Sequence, residues 1–325
     1  MNWKNVLNAD PTEWLLEGEP WVRYNTLRVL LEKESHSSEV ENTREKLVAH
    51  PLIKSLIAEV KEWPSYPLKR HNDAKHPLHK LAVLADFGIT ANDPEMRNIH
   101  EKVLQHQSQD GAFQIDMLIP PHFGGSGNPE KIWMACDAPT SLYALLKMGF
   151  KNKHVQTAIE HLTSLIRENG VLCTGENPTF RGPGRKSDPC PYATLLVTKA
   201  LSQVPEMRKK TVSRGAEMLL WHWEHQEERR PYLFGIGTNF RKLKYPFVWY
   251  DILHVADVLS QIDFLKDDER LKEMVDTIVS KQDSDGRFTP ESVWMAFKKW
   301  DFGQKKAPSA WITFLVARIV KRMYS

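Results

Sequence analysis

The feature that most constrains this chain is a repeated way of beginning a helix. Six times, at intervals of roughly 50–60 residues, a proline is followed by an apolar helical run, the mark of a repeat architecture. The copies start at Pro20 (Trp21-Val22-Arg23-Tyr24), Pro77 (Leu78-His79-Lys80-Leu81), Pro139 (Thr140-Ser141-Leu142-Tyr143), Pro191 (Tyr192-Ala193-Thr194-Leu195), Pro246 (Phe247-Val248-Trp249-Tyr250) and Pro308 (Ser309-Ala310-Trp311-Ile312). Proline suits this place because the first helical turn needs no backbone N–H from it.

Between these runs lie five more polar helical patterns, over residues 38–61, 94–106, 151–167, 206–226 and 267–282. In the third, Ala158, Leu162, Leu165 and Ile166 recur at helical spacing while Glu160, His161 and Arg167 take the other face. A helix apolar around most of its circumference is an inner one; a helix with one wet face is an outer one. Residues 3–16 supply a sixth outer segment, which would close the ring and cover the terminal repeats. The expected fold is therefore all-α, a single (α/α)6 toroid domain spanning residues 1–325.

Charge narrows the partners. With 44 Lys and Arg against 41 Asp and Glu, the net charge of +3 does not make a nucleic-acid-binding field. The first ten residues lack a basic segment followed by an apolar one, and the longest apolar stretch, Ala310 to Val320, is interrupted by Arg318. Neither a signal peptide nor a transmembrane span is predicted. Three cysteines, Cys136, Cys173 and Cys190, are too few and too odd for a disulfide framework, which points to a reducing, cytoplasmic setting.

Two outer helices end alike, in Gln107-Ser108-Gln109-Asp110-Gly111-Ala112-Phe113 and Gln282-Asp283-Ser284-Asp285-Gly286-Arg287-Phe288, and Arg167-Glu168-Asn169-Gly170-Val171 is a degenerate copy. The glycine stops the helix in a left-handed conformation, and the aromatic packs back on it. This Q-x-x-D-G-x-F element resembles the repeat of the terpenoid cyclase and protein prenyltransferase superfamily, whose fold is the (α/α)6 toroid. The resemblance implies a central cavity beneath the starts of the inner helices. It also implies zinc: in the prenyltransferases an Asp-x-Cys at one inner helix and a later His hold the metal, and Asp188-Pro189-Cys190 with His254 is similar. The D-x-D-D acid of the squalene and hopene cyclases has no counterpart, and Asp267-Asp268-Glu269 belongs to an outer-helix start. The glycines at 124, 125 and 127 lack the Gly-Lys-Ser/Thr of a P-loop.

The candidate site lies in the long loops before the inner helices. Asp137 and Asp188 stand at helix starts, where a carboxylate caps, pairs or catalyses; Asp251, placed inside its helix, could form an acid–base pair with His254. These four are the predicted polar actors. His79, His122, Trp133, Tyr192, Trp249, Tyr250 and Trp311 are the predicted lining, as cavity wall or as core, and Arg181 with Arg185 would meet an anionic group. Three functions fit: an enzyme acting on a small apolar, isoprenoid-like substrate with an anionic head; a carbohydrate-active hydrolase or lyase using two aspartates; or a non-catalytic scaffold.

Overall fold

The computed structural model describes residues 2–183 and 187–325, apart from the side chains of Arg208 and Lys210. Among these residues the chain is all-α, with thirteen α-helices: α1 (Thr12–Leu16), α2 (Pro20–Asn25), α3 (Ser38–Ala49), α4 (Pro51–Lys61), α5 (Pro77–Phe87), α6 (Met96–Leu104), α7 (Ala138–Lys147), α8 (Lys153–Leu165), α9 (Pro191–Leu201), α10 (Ser213–Glu224), α11 (Ile252–Leu259), α12 (Glu269–Val279) and α13 (Ala310–Tyr324). A short antiparallel hairpin, β1 (Ile115–Leu118) with β2 (Pro129–Ile132), pairs Ile115 with Ile132 in a loop where no strand was expected. The chain divides into two compact units, one of Met1–Ser55 with Gly237–Ser325, the other of Leu56–Ile236.

In the Leu56–Ile236 unit the inner helices pack in sequence order, α5 on α7 and α7 on α9, while α8 lies against both α7 and α9 and α10 against α9. Every residue of α5 and of α9 is buried, whereas α8 buries only Val155, Ala158, Ile159 and Leu162. In the other unit α11 packs on α13 and α13 on α2, with α12 covering α11 and α13. All of α11 is buried, but α12 buries only Leu271, Met274, Val275 and Ile278. The two-layer alternation expected of an α/α repeat is therefore present in each unit.

The predicted boundaries shift where a cap or proline outranks periodicity. Residues 38–61 form two helices, because Pro51 cannot donate to the preceding turn. Residues 206–226 begin as a 3-10 turn and a π turn before α10. The run after Pro246 is loop, and α11 starts only at Ile252, where the Asp251 side chain accepts the His254 N–H.

The Q-x-x-D-G-x-F element joins one outer segment to the next. The Gln107 amide donates to the Gly111 carbonyl at 2.7 Å and to the carbonyl of His154, in the first turn of α8, at 2.8 Å. Gln282 likewise accepts the Asn8 N–H at 2.7 Å. Gly111 has φ +93°, and a Cβ there would stand 2.6 Å from Thr157 Cγ2 and 2.8 Å from the Thr157 carbonyl; at Gly286 the obstacle would be the Ala9 carbonyl, 2.3 Å away. Phe113 and Phe288 are both buried.

A second repeat is visible only in the folded chain. The Val171 N–H donates to Thr194 Oγ1 at 2.9 Å while the Cys190 N–H donates back to the Val171 carbonyl at 2.7 Å. The Phe288 N–H donates to Thr313 Oγ1 at 2.9 Å, and the Ser309 N–H returns to the Phe288 carbonyl at 2.9 Å. Each clasp ties the end of an outer-helix motif to the first turn of the inner helix that follows.

A buried ion cluster joins α11 to α13. Asp257 on α11 accepts from Arg318 at 2.7 Å and Arg322 at 2.9 Å, with Asp257 and Arg318 each 5% exposed. Removing one partner of a buried ion pair strands the other charge. Asp257→Ala is therefore expected to lower unfolding free energy by about 3 kcal/mol, read by denaturant titration. Gly111→Ala should cost about 2 kcal/mol or more in the same assay, against about 1 kcal/mol for Gly149→Ala, whose φ is also positive but whose Cβ would meet nothing within 4 Å.

Candidate active site

The polar residues at the inner-helix starts are N-caps. His76 Nδ1 accepts from Leu78 N–H at 3.2 Å, Cys190 Sγ from Ala193 N–H at 3.4 Å, Asp251 Oδ1 from His254 N–H at 3.0 Å and Ser309 Oγ from Ile312 N–H at 3.2 Å. Glu19, ahead of α2, makes no such bond but is exposed. Asp137 makes none either, and it is fully buried.

The Asp137 carboxylate turns away from its helix. Its Oδ2 lies 2.8 Å from His71 Nδ1, while Oδ1 is buried with no hydrogen-bond partner. The clasp is also missing here: Ser141, four residues on, where Thr194 and Thr313 stand in their helices, has a buried hydroxyl without a partner. An unsatisfied buried acceptor costs about 1–3 kcal/mol, so its persistence asks for a use.

Histidines surround this carboxylate. Burial pulls the His71 ring down, but the Asp137 charge and hydrogen bond outweigh it and hold the imidazole above its ordinary 6.5. His71 remains 30% exposed, so a proton can reach it from outside. His79, inside α5, is 2% exposed, and burial drives its pKa to about 4 despite the Asp137 charge; its Nε2 has no partner. His76 is also lowered by burial, while its Nε2 donates to the Tyr66 carbonyl at 3.0 Å. The arrangement is a partly exposed imidazole of raised pKa on one carboxylate oxygen and a buried imidazole of lowered pKa nearby, with the second oxygen unclaimed. It can hold or move a proton at Asp137 Oδ1.

Beside it sit all three cysteines. Cys136 directly precedes Asp137; its thiol is hydrogen-bonded with those of Cys173 and Cys190, and these bonds and burial hold its proton on. The bonds from Cys136 and Cys173 pull the Cys190 thiol well below its usual range, with help from the Ala193 and Tyr192 N–H groups. For Cys173 the bond with Cys136 lowers the pKa, but that with Cys190 and burial prevail and push it up to about 12.

The other predicted residues spread more widely. His122 is exposed on a 3-10 turn, and Arg181 is exposed with its N–H on the Phe123 carbonyl at 2.8 Å. Arg185 lies outside the described residues. Trp133 is core, packed with Ala112 and Ala138, and Tyr192 is buried inside α9. In the unit containing Gly237–Ser325, His254 is fully buried, its Nδ1 is 2.9 Å from the Trp249 carbonyl and its ring stacks on Phe247. Asp251 is an N-cap with Lys244 Nζ at 3.8 Å, which differs from its expected place inside the helix. Trp249 is partly exposed there, Tyr250 packs on Phe240, and Trp311 packs between Tyr245 and Phe314. Asp188 is half-buried in the loop before α9. The zinc set implied by resemblance thus draws Asp188 and Cys190 from one unit and His254 from the other. Among the described residues no group of three or more His, Cys, Asp or Glu side chains is arranged to hold a metal ion.

Sequence reasoning missed His71, Asp301 and the meeting of the cysteines. Asp301 accepts from Ser309 Oγ at 2.6 Å and the Trp311 N–H at 3.0 Å, and burial raises its pKa. The available signal was Cys136 and Cys190, one at an N-cap and one beside an N-cap of successive inner helices.

The chain matches no known protein family profile and no curated protein. Among solved structures it is similar to a type II terpene cyclase from Scytonema bound to geranylgeranyl dihydroxybenzoate, at 12% identity over 94% of this chain and 87% of that one, with a TM-score of 0.43. A protein from Actinoplanes aligns at 12% identity over 94% and 90%, TM-score 0.43, and a glycosyl hydrolase of family 88 from Bacteroides vulgatus at 11% over 94% and 73%, TM-score 0.33. No described helix is long and apolar enough to cross a membrane.

The His71 pair gives a direct test. Below pH 6.5 the pair contributes its full stability, and the contribution fades as pH rises through the raised folded value. In Asp137→Asn the carboxylate charge that opposes burial is gone and only the weaker pull of Cys190 remains, so the His71 ring should titrate lower than in wild type, measured by NMR of the histidine ring protons.

Proposed function

We propose that the chain is an enzyme of the α/α toroid type that transfers a proton to or from a small, largely apolar molecule, with Asp137 as its acid–base group. The observation that carries this reading is the buried Asp137 Oδ1, which neither caps its helix nor meets a partner, while Oδ2 is held by His71. With Oδ2 occupied, a proton on this carboxyl resides on Oδ1. Delivery from Oδ1 to a substrate carbon–carbon double bond leaves a carboxylate that the adjacent imidazolium stabilises at once. His71, being partly exposed, then returns a proton from solvent.

The substrate class is read from the buried helix that bears the acid and from an exposed cation in the loop before α9. Starts of inner helices that are buried along their length favour an apolar body, and exposed Arg181 would meet an anionic head. An isoprenoid-like chain bearing a carboxylate or phosphate combines the two.

The test is solvent-deuterium incorporation. Linear polyprenyl acids and diphosphates are incubated with the protein in deuterated buffer, and the products are examined by mass spectrometry. Wild type is expected to give products carrying a solvent deuteron, with the rate reduced about 10²–10⁴-fold in Asp137→Asn and partly in His71→Gln. An unchanged rate in Asp137→Asn would remove Asp137 from the role; no incorporation by wild type into any of these compounds would remove the isoprenoid class.

A further inference from the structure

Three cysteines distributed over 55 residues of sequence meet because two loops pair with a third. Met134 bridges Gly175 in antiparallel register, the Ala135 N–H donates to the Thr174 carbonyl at 3.0 Å and the Glu176 N–H to the Trp133 carbonyl at 3.0 Å. Just past the bridge the chain turns, with the Asp137 N–H on the Met134 carbonyl at 3.0 Å, so Cys136 stands two residues after one bridge partner and Cys173 two residues before the other, and each thiol lies within the other's electrostatic reach. Leu172 bridges Pro189 on the other side, and the Cys190 N–H donates to the Val171 carbonyl at 2.7 Å, so Cys190 closes the cluster. Cys136 and Cys190 are each 3% exposed, and Cys173 is the half-buried member.

We propose that Cys136, Cys173 and Cys190 form a thiol–disulfide exchange site, entered at Cys173 by an external disulfide and resolved as a Cys136–Cys173 disulfide. The Cys173 sulfur attacks one sulfur of the external disulfide; that S–S bond breaks, and one thiol leaves with the Cys173 proton. The Cys136 sulfur then attacks the mixed disulfide at Cys173, and the second external thiol leaves with the Cys136 proton. Two protein thiols are oxidised, one external disulfide is reduced to two thiols, and no other reactant is consumed. Cys190 keeps its place as the cap of α9 and is not oxidised. The oxidised form would carry its cross-link on the residue next to Asp137, but the exchange does not depend on the proton-transfer reading.

The test uses the full chain and oxidised glutathione as probe, with free thiols counted in denaturant and products mapped by peptide mass spectrometry. Wild type should fall from three free thiols to one, carry no glutathione at completion, and yield a peptide joining Cys136 to Cys173. Cys190→Ser should still form that cross-link, and Cys136→Ser should stop at one glutathione on Cys173. Three thiols surviving in wild type, a lasting glutathione adduct without the cross-link, or stoichiometric zinc that protects the thiols as purified would each overturn the proposal. Because the wild-type result alone decides, a variant that fails to fold leaves the test intact.

Discussion

An α-helix begins with backbone N–H groups that have no partner inside it, and burying such an end requires that something else supply one. In this chain α5, α7, α9 and α11 are buried from their first residues, so each of those starts is a demand for an acceptor. His76, Cys190, Asp251 and Ser309 meet that demand with four different side chains. The variety of residue types at equivalent places therefore has a common structural cause, and most of the polarity there is explained without chemistry. Asp137 stands apart because the same pressure acts on it and it does not answer; its oxygens go to His71 and to no partner.

At the start of α7 the cap and the clasp are lost together. Where Thr194 and Thr313 receive an N–H from the preceding loop, Ser141 receives none, and the Asp137 N–H turns to the Met134 carbonyl. A helix start that gives up both its cap and its clasp loses stability that the start of α9 retains. The His71 pair, and its proton's reach to solvent, is what the chain holds in exchange.

Much of this was legible in the residues. Proline followed by an apolar run identified the inner helices because proline tolerates the first turn and the burial requirement removes polar residues around the circumference. The Gln and Gly of Q-x-x-D-G-x-F were legible as a helix stop, though not as a tie to the next outer segment. Asp251 was placed inside a helix because Pro246 looked like a start; the cap, rather than the proline, decides where α11 begins. His71 was invisible because it lies 66 residues from Asp137 in an aperiodic loop. The cysteines were read as a sparse set because nothing in their spacing reveals that isolated loop bridges bring them together.

The clasps that tie Val171 to α9 and Phe288 to α13 bear on how such a chain can change over generations. Each brings both ends of a long loop to a single residue, Val171 or Phe288, so the ends stay together whatever the length of chain between them. Lengthening a loop with anchored ends is cheap, about 0.6 kcal/mol for each doubling. Insertions between the anchors can therefore accumulate without loosening the helices, which lets the cover over the helix starts grow while the scaffold beneath it stays the same.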